Sequence, residues 1–173
     1  MTDHLRIIVA GIATLEPDDP ALATSIRLAE RTGAELHLVH AYPVDQAEEG
    51  WDMAVSMTRP ALFPALLQSR LEGLARAHAT TGCVECVVTP GSAADVLGTY
   101  ARVIGADLLV LAPTRRAGAA GAMLGTTASR VLRTSNAPVL VLRGGLAGRA
   151  ARRVLLPTDL SEHSALALPT ARN

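Results

Sequence analysis

The residues with the strongest claim to chemistry lie between Leu111 and Leu132, LAPTRRAGAAGAMLGTTASRVL. Gly118, Gly121 and Gly125 free the backbone for tight, φ-positive turns, and Thr126 and Thr127 stand where an amphipathic helix begins. The first N–H groups of a helix have no intrahelical partner and sit at the positive end of its dipole. Gly125–Thr127 is therefore suited to hold a phosphate. The same residues also read as an ordinary connection, a glycine-rich loop followed by a threonine N-cap. All sixteen basic residues are arginine. Without lysine, the G-x-x-x-x-G-K phosphate loop and Schiff-base catalysis are excluded, and a dinucleotide fingerprint would follow the first strand rather than the fourth.

Other candidate groups are weaker. Cys83 and Cys86 read C-V-E-C within an apolar run, and residues three apart on a strand point to opposite faces. No second pair completes a zinc site, so both thiols are expected to be small buried hydrophobes. His37 and His40 share that spacing and are not expected to act together, although His40, beside Ala41, is placed to border a cleft. Asp107 begins the fourth strand and is expected to be structural. Asp45, Glu48 and Glu49 form a solvated acidic patch, and Arg143, Arg149, Arg152 and Arg153 make a basic linker. No nucleophile–base–orienter set is visible around any serine.

The elements that must position these residues follow from apolar periodicity. LRIIVAGI, AELHLVHAY, residues 83–88, ADLLVLA and PVLVLR are continuous apolar runs of strand length, as strands covered on both faces require. Between them lie helices. Asp19, Pro20 and Gly33 supply an N-cap, a first-turn proline and a C-cap around Leu22, Ile26 and Ala29. Leu67, Leu71 and Leu74 make the second helix's stripe. Ser92 and Asp95 suggest a capping box for a third helix that carries Val96, Tyr100 and Val103 inward and stops at Gly105. A fourth runs from about Thr127 to Thr134. Strand–helix alternation predicts an α/β fold, a five-stranded parallel sheet with helices on both faces and right-handed crossovers. Ligands of such sheets sit beyond the strands' carboxyl ends, where the glycine stretch departs. Residues 43–60 lack a period and read as a surface excursion.

The chain is 173 residues long, 49% hydrophobic and formally neutral, with four aromatics. A core is easily supplied, while nucleic-acid binding and base stacking are not expected. No apolar run reaches membrane-helix length and no signal peptide precedes the first strand, so the expected compartment is the cytoplasm. After the first domain (residues 1–143) and a glycine–alanine linker (144–151), RRVLLPTDLSEHSALAL repeats the opening pattern. Residues 152–173 thus read as the truncated start of a second copy.

RIIVAG, ELHLVHAY, VVTPGSAADVLGTYA, GADLLVLAPTRR and above all LGTTASRVLRTSNAPVLVLR together resemble a universal stress protein domain. The resemblance implies a Rossmann-like fold that dimerises through its last strand, as a homodimer or as a tandem pseudo-dimer, and in many members binds ATP or AMP. ATP-binding members carry G-x-x-G-x9-G-[ST] after the fourth strand. Ala112 and Arg115 replace the first two glycines here, while Gly125 and Thr126 keep the last pair. The family's ribose-binding aspartate falls on Ile12 and its adenine-side residue on Ala41. Asp159 of the second copy matches that aspartate, and Arg115 offers a guanidinium to phosphate. The nucleotide site implied is therefore Ala41, Arg115, Gly125, Thr126 and Thr127 in a degenerate cleft, with Asp159 the ribose-competent residue of the restarted copy, which has no glycine loop of its own here. The expected function is a non-catalytic stress-response protein, with slow ATP hydrolysis or a ligand-free interaction module as alternatives.

Overall fold

Each apolar run becomes a strand because its residues are needed on both sides of the sheet. The computed structural model describes residues 5–43, 62–79, 82–112 and 125–142. Among them β1 is Ile7–Gly11, β2 Glu35–Tyr42, β3 Val84–Pro90, β4 Leu108–Leu111 and β5 Val139–Val141. All pair in parallel, in the order β3-β2-β1-β4-β5. The helices are α1 Pro20–Thr32, α2 Leu62–His78, α3 Ala93–Ile104 and α4 Thr126–Thr134.

Strand period two sorts the side chains into two cores. Ile8, Ala10, Leu36, Leu38 and Val110 meet Leu22 and Ile26 of α1 and Leu71 and Leu74 of α2. Val9, Val39, Leu109 and Leu111 meet Ala94, Leu97 and Ala101 of α3 and Val131 of α4. The fold is thus the expected α/β sheet covered on both faces. The chain builds outward from β1 to β3, returns across the sheet through α3, and continues from β4 to β5. Winding reverses between β1 and β4.

Local signals hold at α1. Asp19 Oδ1 accepts from the Ala21 amide, Pro20 opens the helix, and Gly33 closes it at φ 72°. Gly105 likewise ends α3 in the left-handed region. Three expectations fail. Ser92 makes no side-chain cap bond, and the Asp95 carboxylate pairs with Arg130 of α4 at 2.8 Å rather than answering Ser92. Val103 is 73% exposed, because Ala94, Leu97 and Ala101 form the buried face of α3. Cys83 is exposed rather than buried, since β3 begins one residue later; Cys86 alone packs against the α1–α2 core. Residues 43–60, but for Pro43, lie outside the described residues, as do the linker and the second copy.

Candidate functional site

The carboxyl ends of β1 and β4 are the rim where the sheet's winding reverses. At β1 that rim is tightly filled. A Cβ on Gly11 would come within 2.8 Å of the side-chain ends of both Leu111 and Leu97, so with glycine α3 and β4 close over β1 without displacing either leucine. Ile12 follows, 3% exposed, inside the α1–α2 core. Its amide donates to the Val39 carbonyl at 2.9 Å. Its own carbonyl lies 2.8 Å from His40 Nδ1. A carbonyl only accepts, so Nδ1 carries the proton.

The turn beyond Ile12 is organised from within by a carboxylate. Asp19 is 2% exposed. Its Oδ2 accepts from the Ala13 amide at 3.2 Å, the Thr14 amide at 2.9 Å and the Thr14 hydroxyl at 3.1 Å. With Oδ1 on Ala21, one side chain satisfies donors on both sides of the turn. The N-cap is legible in the sequence. The backward reach to Thr14 is not, because nothing in the spacing requires it.

The glycine–threonine half of the site lies on the other side of the reversal. Gly125, not a threonine, is the N-cap of α4, at φ −60°. It makes no demand for a positive φ, and a Cβ there would meet nothing within 4 Å. Thr126 and Thr127 are the first two helical residues; Gly125 and Thr126 are exposed and Thr127 half-buried. α4 returns from the carboxyl end of β4 to the start of β5, so its first amides stand at the rim. Ala41, half-buried near the end of β2, pairs with Thr89. The structure therefore brings Ala41, Ile12, Ala112 and Gly125–Thr127 to one end of the sheet. Arg115, Gly118, Gly121 and Asp159 lie outside the described residues.

The two histidines belong to different sides of the sheet. His37 Nε2 lies 3.3 Å from Glu35 Oε1 and Nδ1 lies 2.9 Å from the Tyr100 hydroxyl on α3. With Nε2 donating to the carboxylate, Nδ1 accepts from the phenol. Burial, then the charges of Glu85 and Glu35, hold Tyr100 above its ordinary pKa, so it remains a donor. Asp107 accepts from the Arg6 and Ile7 amides at 2.9 and 3.0 Å, at the opposite end of the sheet from the glycine half. Among the described residues no group of three His, Cys, Asp or Glu side chains could hold a metal ion. Among them too, no helix is long and apolar enough to cross a membrane.

The described residues thus form a parallel α/β domain of the doubly wound class, with a helix N-terminus at its winding reversal. The chain belongs to the universal stress protein family, whose model matches residues 4–143. Solved structures share the fold. A universal stress protein in complex with cAMP is 22% identical, with a TM-score of 0.58, over 82% of this chain and 98% of that one. Hypothetical protein MJ0577 is 16% identical, with a TM-score of 0.65, over 80% and 96%. A putative universal stress protein from Pseudomonas aeruginosa is 19% identical, with a TM-score of 0.55, over 82% of this chain but 49% of its own. No curated protein matches the chain.

Proposed function

We propose that this protein is a non-catalytic, cytoplasmic stress-response protein with a weakened adenine-nucleotide cleft, and that it dimerises through β5. The carrying observation is Ile12. At the position where the family resemblance implies a ribose-binding carboxylate, an apolar side chain is packed into the core, and its carbonyl is taken by His40. An isoleucine offers a ribose no hydrogen bond. The opposite half of the cleft, Gly125, Thr126 and Thr127, offers the first amides of α4 and two hydroxyls to phosphate. Ala41 borders the adenine end and Arg115 supplies charge. ATP, AMP or the cyclic nucleotide of the cAMP-bound relative would then be held by phosphate more than by ribose.

Residues 152–173 repeat the opening pattern, and their Asp159 carries the carboxylate that Ile12 lacks. The Pseudomonas relative, of which this chain covers about half, supports that organisation. The second reading, an interaction module without ligand, is favoured by the same buried Ile12. Thermal denaturation with ATP, AMP and cAMP separates the two: a ligand at a hundredfold excess over its Kd stabilises by about 2.7 kcal/mol. Millimolar nucleotide should raise the melting temperature, and Thr126→Ala should reduce the rise. No shift with any nucleotide leaves the interaction module. Release of labelled phosphate from ATP above background, lost in Thr126→Ala, would overturn the non-catalytic assignment.

A further inference from the structure

Among the described residues the sheet has two edges, β3 and β5, and they are treated differently. Leu36 is in register with Val84, and its amide donates to the Cys83 carbonyl at 3.1 Å. In a parallel ladder alternate residues turn both main-chain groups to the same neighbour. Glu85 and Val87 therefore face β2, while Val84, Cys86 and Val88 present theirs outward, with Cys86 central. An outward row of this kind is a template for another strand.

We propose that Gln68 closes this edge: its side-chain amide occupies the central Cys86 carbonyl, so copies of this chain cannot add strands at β3. Gln68 Nε2 is 2.8 Å from the Cys86 carbonyl oxygen and 2.9 Å from Glu72 Oε1. An amide nitrogen has two hydrogens, and both are committed. Glu72, one turn further along α2, holds the amide in place. Gln68 stands one residue past Leu67 of the apolar stripe, so helix packing is left to Leu67, Leu71 and Leu74. The groove beside the edge is lined by Gln68, Glu72, Arg76 and Glu85 together with Ala75, Ala79, Val84 and Cys86, so polar and charged groups flank the Cys86 carbonyl on the α2 side. β5 is a short edge with an exposed Leu140. That pairing is directed to β5 rests on the proposed dimer; that β3 is closed does not.

The test uses the full chain, spin-labelled at exposed Cys83 at neutral pH, where the half-buried Cys86 thiol stays protonated. From strand spacing of about 4.8 Å, labels on two copies paired through β5 lie roughly 40 Å apart; copies paired through β3 bring them to roughly 20 Å. Wild type should give the long distance alone. Gln68→Ala and the similarly sized, uncharged Gln68→Met, which donates nothing, should add the short distance and species heavier than a dimer in light scattering. Freeing one hydrogen-bonded carbonyl should tighten self-association roughly three- to tenfold. Folded variants, checked by circular dichroism, with unchanged mass and distances would overturn the proposal, as would the short distance in wild type. A monomeric wild type whose variants gain only the short distance would support the closed edge and refute the β5 dimer.

Discussion

At the scale of single residues, stability and site coincide at the end of β1. Gly11→Ala forces a methyl to within 2.8 Å of two buried leucines, a clash expected to cost about 1–3 kcal/mol. A urea midpoint equal to wild type would show that Leu97 and Leu111 yield freely. Ile12→Asp puts a carboxylate into the apolar core and should destabilise by about 3 kcal/mol or more without restoring nucleotide binding. A stable variant that binds AMP would mean that this position faces the cleft rather than the core. Asp19→Ala leaves three backbone amides without their acceptor and should cost about 2–4 kcal/mol in chemical denaturation. The thiols differ too. Burial, then Glu72 and Glu85, raise Cys86 to about 11, against the opposing charge of Arg76. At pH 8 its thiolate is scarce, so Ellman's reagent should titrate Cys83 quickly and Cys86 only on unfolding; Cys86 should become reactive as pH approaches 11. Two fast thiols at pH 8 would contradict this.

At the scale of elements, α2 separates core from surface within about a turn and a half. Leu71 is fully buried and Leu66 is 67% exposed. Leu71→Ala should cost about 2–5 kcal/mol and Leu66→Ser less than about 0.5 kcal/mol. Thermal melts of the two variants check the contrast, and similar losses would contradict the burial of that helix. The apolar stripe Leu67–Leu71–Leu74 was legible because helix period and burial agree. α3 misled because sequence cannot say which of two apolar stripes a sheet will take. Val96, Tyr100 and Val103 form one and Leu97 and Ala101 the other; Val96 and Tyr100 pack partly, while Val103 is left to solvent. The Ser92–Asp95 box failed for a related reason. Asp95 has a cation across the helix pair, and Arg130 wins it. That pair is about half exposed on each side, so its contribution is at most about 1 kcal/mol.

At the scale of the whole molecule, one strand order decides where function can lie. Because β1 and β4 are neighbours, the Gly125–Thr127 amides and the apolar Ile12 stand at the same end of the sheet. Because β3 and β5 are the edges among the described residues, a strand added by a second copy would meet one of these two, and on our proposal Gln68 weights that choice.

The amino-acid sequence by itself determined the number and kind of elements, the caps of α1 and the requirement that every strand be covered twice. These are local properties, set by side-chain period and by which backbone groups a helix end leaves open. It also carried the family through LGTTASRVLRTSNAPVLVLR. Only the tertiary structure decided that Ile12 is core, that His40 takes its carbonyl, that Asp19 reaches back to Thr14 and that Gln68 meets Cys86. Each joins groups through a strand order or a side-chain direction that nearest-neighbour chemistry does not specify. Such contacts exist only once distant segments have packed.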